Sequence, residues 1–205
     1  MAFFFDGGDY MESTAPVTAV PLTIAGWFRG TTTDSTRGLI ELNSGGNTNY
    51  FSIRKVSGSL NIRGTVRLDN GTEQTVSSTG TYTQNDWFHA AFVCESATLR
   101  TIYLNGGNEA NSTVSVVPSG INTMFIGFAG AYWTGDSAEV AIWNAALTKS
   151  QVESLAKGFA PSLVQPDNLV QYMPLIRNVQ DLIAARLITN NGPAAVATHP
   201  RIYGL

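Results

Sequence analysis

The sequence predicts an all-β sandwich of two antiparallel sheets with one short surface helix. Apolar and polar residues alternate with period two in many short runs, as strands that bury one face require. Asn-Gly and Ser-Gly pairs separate the runs at Ser57-Gly58, Asn70-Gly71, Asn105-Gly106 and Asn191-Gly192. Asn-Gly accepts the positive φ angles of tight hairpins, so neighbouring runs pair antiparallel. A single segment, after Thr148, carries a helix start instead. So many half-apolar strands need an opposing sheet to cover them.

In order along the chain, the first clear strand is Leu22 to Arg29. Leu22, Ile24, Gly26 and Phe28 share one face, and Thr23, Ala25, Trp27 and Arg29 the other. Further strands are expected at Leu39 to Leu42, Tyr50 to Val56, Leu60 to Leu68, Trp87 to Cys94, Leu99 to Leu104, Met124 to Phe128 and Val140 to Trp143. In the Trp87 strand, Phe88, Ala90, Phe92 and Cys94 fall on one face, which predicts a buried, inert thiol. The helix follows: Thr148 as N-cap, Gln151 completing a capping box, Leu147 stapled to Val152, and Gly158 as the stop. Residues 160 to 168 hold Pro161 and Pro166 and read as an extended connector, because the residue before proline avoids the helical region. Beyond it, Leu169 to Leu175 reads as a strand. Val179 to Ile188 admits strand or helix, with a loop followed by a strand favoured. The expected organisation is a sandwich over residues 1–160 and an extension, 161–205, that packs back onto it as one compact domain.

At 205 residues, a single β-sandwich can bury roughly 70% of its unfolded surface without staples. One cysteine cannot form an internal bridge, so no disulfide framework is expected. Charged residues are 13% of the chain, about half the usual share, leaving a neutral, polar surface. A net charge of −3 with no basic run argues against nucleic acid, whose binding neutralises phosphates. No apolar run reaches the ~20 residues of a membrane span. Met1-Ala2-Phe3-Phe4-Phe5 meets Asp6 almost at once and lacks the basic and apolar regions of a secretory signal, so synthesis is expected to end in the cytoplasm.

Several ordered pieces carry a resemblance: Phe5-Asp6-Gly7-Gly8-Asp9-Tyr10, Leu22 to Arg29, Trp87-Phe88-His89-Ala90-Ala91, Tyr103-Leu104-Asn105-Gly106, Ile126-Gly127, and Glu139 to Thr148. Together, over residues 1 to 158, they resemble the laminin-G-like branch of the concanavalin A-like jelly-roll sandwiches. The resemblance implies a binding or structural module rather than an enzyme. The tail, Val170-Gln171-Tyr172-Met173-Pro174-Leu175, Asp181, Leu187-Ile188-Thr189 and His199-Pro200-Arg201-Ile202-Tyr203, is similar to C-terminal stretches of tailed-bacteriophage proteins of this kind. It implies a non-enzymatic virion component, a capsid decoration or outer-surface protein contacting capsid or tail neighbours, a role that admits a homo-oligomer. A virion protein also needs no export signal. The alternative is a lectin-like module, a phage receptor-binding protein or bacterial adhesin, that binds host-surface glycan.

Chemistry-bearing residues are sparse. No cofactor is required by the sequence, but relatives often hold calcium near the matching FDGxxDY turn and IDEV strand. The resemblance therefore makes Asp6, Asp9, Asp136 and Glu139 the calcium candidates, although Ala138 stands where an aspartate is expected. Calcium wants six to eight oxygens. No ExDxxE string or GxSxG elbow occurs, so neither a glucanase carboxylate pair nor a serine nucleophile is expected. His89 and His199 stand apart and read as structural. No catalytic residue is assigned. Recognition remains. Tyr132 and Trp133, between Gly130 and Gly135, form an aromatic loop with three open fates: stacking on a sugar, packing on a protein, or folding inward as a plug. Asn47, Asn49 and Tyr50 make a second, polar candidate.

Overall fold

The computed structural model describes residues 1–30, 35–46, 48–176, 178–196 and 198–204. Its strands are β1 (Ala2–Asp6), β2 (Tyr10–Thr14), β3 (Leu22–Arg29), β4 (Arg37–Asn43), β5 (Tyr50–Lys55), β6 (Ile62–Arg67), β7 (Glu73–Ser77), β8 (Phe88–Cys94), β9 (Arg100–Leu104), β10 (Gly107–Ser112), β11 (Thr123–Ile126), β12 (Thr134–Trp143), β13 (Leu169–Met173), β14 (Thr189–Asn191) and β15 (Ala194–Val196); α1 spans Lys149–Ala156. An eight-stranded sheet runs β10-β9-β8-β3-β12-β1-β15, with β13 also on β12. A seven-stranded sheet runs β14-β2-β11-β4-β5-β6-β7. All strand pairs are antiparallel. No helix among the described residues is long and apolar enough to cross a membrane.

Alternation builds the interior. Leu22, Ile24 and Phe28 of β3 and Phe88, Ala90, Phe92 and Cys94 of β8 meet Ile40, Leu42, Met124 and Ile126 of the opposing sheet in one buried cluster. The Cys94 thiol is fully buried, and that burial raises its pKa, with Arg100 opposing weakly. The other face of β3 and β8 is not left to solvent. Ala25, Ala91 and Val93 form a second cluster with Leu147, Val152, Leu155 and Trp143, so α1 lies on the outside of the eight-stranded sheet. Burying Val152 and Leu155 contributes roughly 1.5–3 kcal/mol each. Trp143 Nε1 donates to the Val164 carbonyl at 2.8 Å and ties the segment after the helix to the same patch.

Thr148 caps α1 through a full capping box with Gln151, and Gly158 stops it at φ +90°. Thr148→Ala is expected to cost about 1 kcal/mol, a drop of about 2–4 °C in Tm by calorimetry, with Thr148→Ser close to wild type.

Three local expectations need correction. The connector is not extended but forms two single-turn 3₁₀ helices, Pro161–Leu163 and Pro166–Asn168. Proline opens each, since its fixed φ suits the first helical position and no N–H is lost there. β7 and β10 lie outside every expected strand; their residues, EQTVS and GNEANS, are too polar to show alternation. The Val179 to Ile188 stretch is a loop with a turn, and its strand begins only at Thr189. The extension then supplies β13 against β12, β14 against β2 and β15 against β1.

Candidate functional site

The outer face of the seven-stranded sheet, opposite the inter-sheet core, carries a group of four half-exposed aromatic residues. In β2, Met11 turns inward and Tyr10 and Glu12 outward; in β11, Met124 and Ile126 turn inward and Phe125 outward. The register sets Glu12, Phe125 and Glu41 side by side across β2, β11 and β4. After β11 the chain folds back over the end of β4. Gly127 turns at φ +81° where an added Cβ would lie 2.3 Å from the Phe5 ring, so only glycine fits. Its N–H bonds the Leu39 carbonyl at 2.9 Å, Gly38 donates to the Ala131 carbonyl at 3.0 Å, and Trp133 donates to the Gly127 carbonyl at 2.7 Å. An isolated antiparallel bridge joins Phe128 and Tyr132, and Arg37 donates to the Tyr132 carbonyl at 3.1 Å.

This loop lifts Phe128 and Tyr132 beside Tyr10 and Phe125. Ring centroids lie 5.7 Å apart for Tyr10 and Phe125, 5.6 Å for Phe125 and Phe128, 4.9 Å for Phe128 and Tyr132, and 6.2 Å for Tyr132 and Tyr10. The four rings and Glu12 line a cup of about 200 Å³. All five side chains are half-buried.

A polar strip adjoins the cup on β4 to β7. The Arg54 guanidinium sits 4.6 Å over the Tyr50 ring and pairs with Glu41 at 3.0 Å. Asn43 Nδ2 donates to Glu41 at 2.8 Å, and Arg54 Nε donates to Ser52 Oγ at 3.0 Å. Tyr50 donates its hydroxyl proton to Glu73 at 2.7 Å. Burial raises the Glu41 pKa and outweighs the lowering by Asn43 and Arg54. It also raises that of Tyr50, with Glu73 adding in the same sense.

The sequence candidates divide. Tyr132 is a wall of the cup. Tyr50 belongs to the same face but is fully buried under Arg54. Asn49 is 8% exposed, and its Oδ1 accepts from the Asp69 N–H at 3.3 Å, a turn contact. Asn47 lies outside the described residues. Trp133 corrects the expectation of surface contact: it is fully buried, its indole slotted against Gly30 and Gly135, so it plugs the loop from below. Tyr10, Phe125, Phe128 and Glu12 went unassigned by sequence: alternation groups Tyr10 with Glu12 without saying which face is outer, and Phe128 leaves the inward face of Met124 and Ile126 only because Gly127 turns the chain.

The calcium candidates do not fit a metal centre. Asp6 Oδ1 accepts from the Gly8 N–H at 2.9 Å and Asp9 Oδ2 from the Asp6 N–H at 3.2 Å, both within one turn. Asp136 pairs with Arg29 at 2.5 Å, and burial raises its pKa ahead of that partner's opposing pull. Glu139, at φ +53° in the bulge of β12, accepts from the Tyr172 hydroxyl at 2.5 Å. His199 Nε2 lies 3.1 Å from its other oxygen, which has no aligned hydrogen bond. Asp136 and Glu139 are engaged by side-chain partners, whereas Asp6 and Asp9 each hold one N–H of their own turn. Among the described residues no three His, Cys, Asp or Glu side chains are grouped to hold a metal ion.

A family model described as the concanavalin A-like lectin/glucanases superfamily matches residues 5–153. No curated protein matches the chain. Among solved structures, the heptameric SAP-like pentraxin of Limulus polyphemus is similar at a TM-score of 0.62 and 16% identity, over 94% of this chain and 93% of that one. Domain 4 of the extracellular arabinanase AbnA of Geobacillus stearothermophilus, in complex with arabinotriose, is similar at 0.59 and 17%, over 70% of each chain. The CBM40 of the Ruminococcus gnavus IT-sialidase, bound to α2,3-sialyllactose, is similar at 0.59 and 12%, over 76% of this chain and 96% of that one. At these identities the likeness is one of fold.

Proposed function

The chain belongs to the concanavalin A-like lectin/glucanases superfamily, and from that premise we propose that it is a non-enzymatic glycan-binding module whose recognition surface is the outer face of the seven-stranded sheet. The observation that carries the reading is the cup of Tyr10, Phe125, Phe128 and Tyr132 with Glu12 on its lining. Sugar rings present C–H faces that pack on aromatic rings and hydroxyls that need fixed, charged hydrogen-bonding partners. The cup offers the first through its four rings and the second through Glu12, the half-buried carboxylate on its lining. A non-catalytic role is supported by the carboxylates: buried Glu41, Asp136 and Asp181 are each held by an arginine, Arg54, Arg29 and Arg186. Two carboxyl groups flanking a scissile bond would have to stay free for substrate.

The test is a glycan array followed by calorimetric titration of the best hit. Tyr132→Ala and Phe125→Ala are each expected to weaken it about tenfold or more, the range for truncating a stacking residue at a binding hot spot, with Tm within about 2 °C of wild type. A blank array overturns the reading. The phage-like tail favours a setting for it: an outer virion component that contacts other virion proteins and turns this face toward host-surface glycan. Copurification with phage particles tests that setting; its absence from particles overturns the setting and leaves the glycan site standing.

A further inference from the structure

We propose that the aromatic cup seats a quaternary ammonium group borne on the glycan. The inference rests on the glycan reading of this face and names the substituent that reading leaves open. Three features of the cup point to a methylated cation. Its rings meet at 44° to 73° rather than stacked, so faces and edges wall the space from several sides. A cation held within about 6 Å of ring faces is drawn to the negative π surface, most strongly where water is excluded.

Charge follows the same direction. Glu12 is the charged residue that lines the cup, so the attraction of the rings and of the carboxylate add. The neighbouring strip does not oppose them: Arg54 is neutralised by Glu41, and Arg67 stands across from Glu73 in the β6–β7 register. Arg37, at the cup's loop, donates to the Tyr132 carbonyl and keeps its charge, so the attraction from the rings and Glu12 must outweigh it.

The walls then choose among cations. The rings offer no row of acceptors and Glu12 is the one carboxylate on the lining, so a primary ammonium with three N–H donors recovers only part of the hydration it loses on entry. A methylated ammonium has no N–H to satisfy and presents carbon to the rings. A simple apolar group would fill the same volume but would gain nothing from Glu12.

The experiment uses choline chloride and its neutral carbon isostere, dimethylbutanol, each titrated into the full chain and followed by chemical shifts of the cup residues. Choline is expected to bind at least fivefold tighter than the isostere. Glu12→Gln should weaken choline threefold or more and leave the isostere unchanged, and Phe128→Ala should abolish binding of both. Equal affinity for the two ligands overturns the assignment and makes the cup a plain apolar site. Binding of uncharged oligosaccharides without choline binding overturns the inference but leaves the glycan reading intact. Choline binding with a blank glycan array supports the cup's ligand and overturns the glycan reading instead.

Discussion

Trp133→Ala is expected to lower Tm by on the order of 10 °C and to remove glycan binding as a consequence of that loss. Trp133 is fully buried, and truncating a buried tryptophan costs about 3–5 kcal/mol in lost burial and residual cavity. The surroundings cannot close in. Gly30 and Gly135 are already in contact with the indole: an added Cβ at Gly30 would sit 2.3 Å from Trp133 Cη2, and one at Gly135 2.6 Å from Cζ2. A slot built by absent side chains has nothing with which to fill the space. Above the plug, the Phe128–Tyr132 bridge is held by the Trp133 N–H on the Gly127 carbonyl. Removing the indole frees this loop to move, and two of the four cup walls go with it. Trp133→Phe should recover about half the lost stability and most of the binding. Tyr132→Ala is the contrasting variant, because it should lose affinity with little change in Tm. If Trp133→Ala unfolds at the wild-type temperature while losing its ligand, the tryptophan is a surface contact and the plug is wrong.

The same loop shows what the sequence could and could not say. Gly130 and Gly135 suggest a protruding tip, yet Gly135 also serves to admit the indole beneath; which use applies is a question of what lies across space, at Gly30. The cup was harder still. Tyr10 lies far in sequence from Phe125, Phe128 and Tyr132, which share one stretch, and the β2–β11 register brings it to them. Alternation correctly marks β11 as a strand, but whether Phe125 or Met124 faces the core depends on the opposing sheet. Local signals did better. The capping box at Thr148, the staple at Leu147 and the stop at Gly158 act within a few residues, so their outcome needs no tertiary information. Arg100 marks the opposite extreme: its charge suggests solvent, but it is 1% exposed and donates to the Val114 and Val116 carbonyls at 2.8 and 2.9 Å. Those carbonyls belong to a loop between β10 and β11 whose path the sequence does not reveal.

Acid should destabilise the protein through His89. Its side chain is 2% exposed and stands edge-on to Trp27 with ring centroids 5.5 Å apart. Nδ1 has no hydrogen-bond partner among the described residues. No group there compensates a charge, and burial pulls the pKa down from 6.5 to about 3. In the unfolded chain the imidazole titrates near its ordinary value. Below that value the unfolded state therefore binds the extra proton and the folded state does not, so stability falls as pH falls. The loss approaches about 1.4 kcal/mol per pH unit between about 6.5 and 3 and totals roughly 4–5 kcal/mol. Glu41 and Asp136, whose pKa values burial raises, act in the opposite sense, since their protonated forms suit the folded state. They are common to any pair of variants and drop out of a comparison. Urea midpoints of wild type and His89→Gln, taken from about pH 7 to about pH 4.5, isolate the histidine. The variant should be the less stable protein at neutral pH, because an amide fits the Trp27 contact poorly. Relative to wild type it should gain about 2–3 kcal/mol over that range, since an amide takes up no proton. His89→Phe, which keeps a flat ring against Trp27, should show the same relative gain from a higher starting point. Parallel pH profiles for wild type and both variants would mean that His89 charges in the folded state, and that the strand beneath Trp27 is open to water.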